Sequence, residues 1–230
     1  MKRKLAALIT CLMIFISQVM TTSYAGVYDG YVRDRASLNA DNVSEKNYKI
    51  FSPDLSEDTE VIETKKDLAD EAAKTYESVA IDEAHFPSDG FRKLVSENFD
   101  TDGDGTLSSD EIREAKIVNS EYEIDSLKGI EYLANLKKLN VYSDTLSEVN
   151  ITKNPELQIL SLSGDGAITS IDTSRNAKLR VFNVTNSSLE SVDLTKNPEL
   201  RIFTVPLTSL RSVDLRNNPY LKRCEVPGTQ

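Results

Sequence analysis

Between Asp100 and Glu111 the chain places oxygen-bearing side chains at alternate positions, Asp100, Asp102, Asp104, Ser108 and Glu111, around a central Gly105. A hard cation such as Ca2+ takes roughly six to eight oxygen ligands, so a loop that wraps it needs alternate carboxylates and a sharp central turn. Gly105 supplies the turn, because glycine tolerates positive φ without a Cβ penalty. Asp100, Asp102 and Asp104 would ligate through carboxylates and Thr106 through its backbone carbonyl. Ser108 would ligate directly or through a water, and Glu111 is long enough to close the site with both oxygens. Leu107, within the loop, is expected to point into a core.

Helices are needed on both sides to hold such a loop. Phe91, Leu94, Val95 and Phe99 recur at helical spacing behind Ser88, a candidate N-cap. Ser109 is expected to cap an exiting helix with Ile112 and Ala115 on its inner face. Asp110 and Glu111 fall in its first turn, where the helix dipole favours anions. This helix–loop–helix over residues 85–120 resembles the EF-hand family, and Asp100, Asp102, Asp104, Thr106, Ser108 and Glu111 match its six ligand positions. The resemblance implies bound Ca2+. The bland alternative is an acidic Asp-Gly turn without a metal.

Lys2, Arg3 and Lys4 precede an apolar run from Leu5 to Val19, and Ser23 and Ala25 are small residues of the kind a signal peptidase reads. Residues 1–25 therefore read as a secretory signal peptide, with a soluble, exported mature chain that carries no membrane span. Two cysteines occur in the whole chain, so removing this segment and Cys11 leaves Cys224, with His85 as the lone histidine. A zinc site would need several such ligands, and a Cys-His or Ser-His nucleophile would depend on His85 alone. Cys224 falls at an apolar repeat position and reads as a buried thiol, with an intermolecular disulfide the other option.

The net charge of −10 is unevenly spread: residues 26–126 carry 11 basic and 26 acidic side chains, and residues 127–230 carry 13 and 11. An acidic front half argues against nucleic acid as a partner. Residues 26–84 lack sustained apolar periodicity and read as a mostly disordered segment. Within them, Leu68, Ala72, Tyr76 and Val79 would share one face of a short helix over residues 64–80.

From residue 121 onward the chain is a repeat. Units run over 148–169, 170–190, 191–211 and 212–230, each with an Asn, usually followed by Pro: Asn154-Pro155, Asn176-Ala177, Asn197-Pro198 and Asn218-Pro219. A short strand with apolar residues at its first, fourth and sixth positions then follows: Leu157, Leu160, Leu162; Leu179, Phe182, Val184; Leu200, Phe203, Val205; Leu221, Cys224, Val226. A degenerate earlier unit reads Leu136, Leu139, Val141, for about five repeats. One such unit cannot bury its apolar face alone, whereas stacked units form a continuous core and one parallel sheet. The spacing resembles leucine-rich repeats, except that the ninth position carries Asp144, Asp165, Ser187 and Thr208 instead of asparagine. The resemblance predicts an α/β fold, with a helical EF-hand unit capping a short leucine-rich-repeat solenoid. Residues 81–230 are also similar in arrangement to secreted proteins of Gram-positive gut bacteria, in which an EF-hand-like unit precedes short leucine-rich repeats.

Residues between the core positions of each strand should face the concave sheet surface. The second position reads Lys137, Gln158, Arg180, Arg201, Lys222, and the third reads Lys138, Ile159, Val181, Ile202, Arg223. An exposed apolar stripe rimmed by cations is a candidate docking face for a protein or cell-surface ligand, with Lys138, Ile159, Arg180, Val181, Arg201, Ile202 and Arg223 as its residues. Plain strand propensity and solubility are the competing explanation. Asp172, Asp193 and Asp214, and the asparagine column, read as turn residues bonding nearby amides. The best reading is a secreted Ca2+-binding protein, not an enzyme, with the metal mainly structural and the repeat sheet mediating binding. A calcium-responsive regulator is the alternative, though no second loop is found. A carboxylate-based glycosidase is weaker, because nothing singles out a carboxylate pair and there is no Trp to line sugar subsites. Dimerisation would go through Cys224 or the open C-terminal repeat.

Overall fold

The computed structural model describes residues 61–227 apart from Ala73, Glu121 and Asp165. The expected signal peptide and the acidic segment up to residue 60 lie outside the described residues. In chain order the elements are α1 (Lys65–Ala72), β1 (Val79–Ala80), α2 (Asp89–Phe99), β2 (Thr106–Leu107), α3 (Ser109–Glu114), β3 (Ile117–Asn119), a 3-10 turn (Ile130–Tyr132), β4 (Lys138–Tyr142), β5 (Ile159–Ser163), β6 (Ser170–Ile171), β7 (Val181–Thr185), β8 (Ser191–Val192), β9 (Ile202–Thr204) and β10 (Arg223–Glu225). Six of these strands form one all-parallel sheet in the order β10-β9-β7-β5-β4-β3.

The register follows the repeat. Val118, Leu139, Leu160, Phe182, Phe203 and Cys224 lie side by side, so the fourth position of every unit points into the solenoid. Phe182 and Phe203 meet at 5.7 Å between centroids with their rings tilted by 31°, within the separation at which aromatic pairs interact. Fully burying an aliphatic or aromatic side chain of this kind contributes about 1.5–3 kcal/mol. The sheet has one strand more than the repeats predict. β3 lacks the leucine at position one and the Asn-Pro turn, yet Val118 is buried and pairs with Leu139 as a full member. A single core runs from Val79 to Val226, so helices and repeats share one interior.

The asparagine ladder that is missing at the ninth position is present elsewhere. Asn154, Asn176, Asn197 and Asn218 are fully buried, and each Nδ2 donates to two carbonyls of the preceding unit. Asn135 begins the column by donating to the Arg113 carbonyl just past the start of α3's last turn. Buried backbone carbonyls in the turns opposite the sheet are satisfied in this way. Asn150, Asp172, Asp193 and Asp214 each accept the amide two residues on, which makes them turn-forming groups.

After each strand the chain reverses at the eighth position, which is left-handed at Gly164 (φ 132°), Asn186 (φ 52°) and Leu207 (φ 56°). Gly164 is also pressed against Ser143, whose carbonyl oxygen would lie 2.0 Å from an added Cβ. At the ninth position Ser187 and Thr208 accept the amides of Leu189 and Leu210.

Two expectations are corrected here. The helix expected over 64–80 stops at Ala72, because the chain beyond it is drawn against α3 and into β1. Cys224, expected to be buried, is only half-buried at the fourth position of its unit, in β10.

Candidate functional site

The helix–loop–helix forms largely as its residues require. Ser88 caps α2 by accepting the Phe91 amide, and Phe91, Leu94, Val95 and Phe99 are buried. Leu107 is buried as expected, and β2 pairs antiparallel with β1, placing Val79 opposite it. The cap of α3 is Ser108, one residue earlier than expected; Ser109 Oγ instead accepts the Tyr76 amide at 2.9 Å. Ser108 wins because Glu111, three residues on, completes a reciprocal capping box with it.

Within the loop, carboxylate oxygens of Asp100, Asp102 and Asp104 lie within 4.8 Å of one another. Backbone amides hold them there: Asp100 accepts from Gly103 and Gly105, Asp102 from Asp104, and Asp104 from Thr106. Gly103 (φ 72°) and Gly105 (φ 79°) make that folding back possible. Glu111 stands apart from the triad. Its Oε1 accepts the Thr101 amide and hydroxyl at 2.6 and 2.7 Å, and its Oε2 accepts the Ser108 amide and hydroxyl, both at 2.9 Å. The Ser108 amide is the largest influence holding its pKa down to about 2; burial opposes it and Thr101 adds to it. The donor set fits a hard divalent cation, being all oxygen, anionic and gathered on a tight loop. Of the six expected ligands, the geometry gathers the three aspartates, while Ser108 and Glu111 bond each other and would exchange some of those bonds to reach an ion. His85 sits against Asp82, with 2.7 Å between Nδ1 and Oδ1, and edge-on to Tyr132.

The second site is the sheet face. Backbone bonds carry the second-position column across the sheet, each residue's amide reaching the carbonyl of the previous one: Lys137 to Lys116, Gln158 to Lys137, Arg180 to Gln158, Arg201 to Arg180 and Lys222 to Arg201. Lys116 therefore extends the basic column by one unit. Sequence reading missed it, although a Lys directly before an apolar pair was the available signal.

The expected exposed stripe is covered. Ile159, Val181 and Ile202 are 1, 0 and 4% exposed, and Val61 packs against them. Arg180 is buried, Lys138 and Arg201 are half-buried, and Arg223 is exposed. Residues 61–72 form a strap across part of this face. The Gln158 side-chain amide pairs with both backbone groups of Ile62, donating to its carbonyl at 2.7 Å and accepting its amide at 2.8 Å. Lys137, 1% exposed, donates to Glu63 at 2.5 Å and forms an ion pair with Glu71, itself 3% exposed. Lys116 lies 3.2 Å from Glu63, 3.4 Å from Glu71 and 3.9 Å from Glu114. Farther along, Lys178 bridges Asp67 at 3.1 Å and Glu156 at 2.6 Å, and Lys74 also reaches Glu156.

Glu63, Asp67 and Glu71 thus form an acidic row spaced by four residues, capped by Thr64, whose amide and hydroxyl both donate to Asp67. This face, and not the one bearing Leu68, meets the sheet: Leu68 is 47% exposed. The hydrogen bond from Lys137 is the main influence holding the Glu63 pKa below its ordinary value; burial opposes it and Lys116 reinforces it. Burial would push the Lys116 pKa down, but Glu63 and its neighbours outweigh that and raise it. The segment following the strap is also tied to the Asp100–Glu111 loop: Arg113 of α3 donates to the Lys74 carbonyl, and β1 pairs with β2 inside the loop.

No helix among the described residues is long and apolar enough to cross a membrane. No family model and no curated protein matches this chain. Among solved structures, the functional domain of InlJ from Listeria monocytogenes, which includes a cysteine ladder, is similar over 67% of this chain at 18% identity and a TM-score of 0.33. An internalin, InlF, from the same organism is similar over 64% of this chain at 14% identity and a TM-score of 0.32. The match covers 44% and 58% of those chains, so this protein spans about half their length. At that level of likeness, the leucine-rich-repeat-like solenoid rests on the strand pairing and repeat register of the chain itself.

Proposed function

We propose that this protein is a secreted binding module whose repeat sheet docks polypeptide, with Ca2+ in the Asp100–Glu111 loop stiffening the N-terminal helical unit. The observation that carries this reading is that the sheet face already seats a peptide segment. It does so with an apolar stripe under Val61, a side-chain amide on the Ile62 backbone, and lysines on Glu63, Asp67 and Glu71. Those are the elements of a peptide-recognition surface: main-chain capture for affinity and charge placement for register. The part of Ca2+ is to neutralise the aspartate triad. Leader-directed export supports a compartment where that ion is abundant. The test pairs pull-down from host-surface protein extracts with a melt. Retention should fall when Arg180 and Arg201 are reversed to Glu, and unchanged retention would sink the binding role.

A calcium-responsive regulator remains the second reading, favoured by the path from loop to strap through β2, β1 and Lys74. Hydrogen exchange over residues 65–72 distinguishes it: Ca2+ should alter protection of the strap if it regulates, and leave it unchanged if it only stiffens.

A further inference from the structure

The strap's chemistry identifies the partner. We propose that the concave basic column is a receptor for an acidic peptide with carboxylates at every fourth residue, and that residues 61–72 are a built-in copy of that ligand, which a partner must displace. The inference rests on the reading of the sheet as a polypeptide-docking face and adds what that face selects.

Three features set the strap apart from ordinary structural packing. First, its helix α1 buries a polar face: Glu71 goes in and Leu68 stays out, the reverse of what a helix does when it docks for stability. Secondly, Lys137 is nearly inaccessible, and its carboxylate partners, Glu63 and Glu71, both come from the strap. No acid of the repeats forms an ion pair with it among the described residues, so removing the strap would uncover a cation without a counter-charge on this face. Thirdly, Gln158 addresses the backbone of Ile62, which any peptide could present. The same groups would accept a foreign segment in the same pose, with one acid for Lys116 and Lys137, one four residues later for Lys178, and a third after another turn.

Occupation by the chain's own copy lowers the apparent affinity for such a partner by the fraction of time the face is open. Weakening the strap should therefore raise binding in trans. The probe is a fluorescein-labelled peptide of residues 61–72, followed by anisotropy against the full chain. The unaltered protein should bind it at least about tenfold more weakly than the Glu63→Gln, Glu71→Gln double variant. Adding Lys116→Glu and Lys137→Glu to that variant should abolish binding, and a peptide with amides in place of its three carboxylates should not bind. Hydrogen exchange over 65–72 reports whether the strap has left. If the double variant proves unfolded, Glu63→Gln with Asp67→Asn substitutes, since both side chains pair with lysines of this face but are less buried than Glu71.

Equal binding by the unaltered and double-variant proteins would overturn the proposal. So would a released strap with no peptide binding, or a strap that stays protected without its carboxylates. The proposal and the broader reading fail separately: capture of a protein partner without the acidic peptide sinks only the inference. Peptide binding that Arg180 and Arg201 reversal leaves intact, with no protein partner retained, sinks only the wider docking role.

Discussion

The solenoid carries two polar columns, one residue per unit, on opposite sides of the same core. The asparagines on the turn side are fully buried, and their side-chain NH2 groups donate to carbonyls of the neighbouring unit. The Lys116–Lys137–Gln158 end of the sheet-side column is satisfied by a segment dozens of residues upstream. A column whose donors are met within the neighbouring units is framework. One that takes its counter-groups from outside its repeat, here the strap's acids at four-residue spacing, is the surface on which the proposed docking rests.

The comparison can be broken most directly at Asn176. Asn176→Ala leaves the Ile151 and Asn154 carbonyls without its amide, and we expect a loss of about 2–4 kcal/mol in global stability by urea denaturation. Lys137→Met should act differently. It should abolish hydrogen-exchange protection over residues 65–72, a loss of up to about 3 kcal/mol of strap docking, while the repeats melt nearly unchanged. If it unfolds the repeats as Asn176→Ala does, both columns are framework.

A smaller effect should come from the loop. With a dissociation constant of about 10⁻⁴ to 10⁻³ M, ~1 mM Ca2+ adds ~0.4 to 1.4 kcal/mol, readable as a modest rise in melting temperature that Asp102→Asn and Asp104→Asn together remove. The smallest effect is on pH. Glu63 has a folded pKa below its ordinary value of 4.5, so its pairing with Lys137 and Lys116 is fully present above that value. Strap protection should weaken as pH falls below about 4.5, with Glu71 and Glu114 beside the same lysines, and Glu63→Gln should flatten that dependence.

Local patterns in the sequence carried most of the architecture. Leucines at the first, fourth and sixth positions predicted the sheet register, and the loop's aspartates and both flanking helices were readable because their signals lie within a few residues of one another. The misses have physical causes. β3 joins the sheet through Val118 and backbone pairing alone, without a repeat signature. The cap shifted from Ser109 to Ser108 because only the latter has Glu111 at the distance a capping box needs. The strap was misjudged because hydrophobic periodicity ranked Leu68 above Glu71. The lysines that reverse that ranking are 45 or more positions away and meet it only once the sheet is built.

The asparagine ladder also gives the solenoid a direction. Every Nδ2 reaches back toward the preceding unit and none reaches forward, from Asn135 on Arg113 to Asn218 on Leu194 and Asn197. Each unit is therefore templated by its predecessor. Growth by duplication at the C-terminal side asks nothing new of the units already in place, whereas an insertion beside α3 would have to rebuild the seed from which the rest are copied.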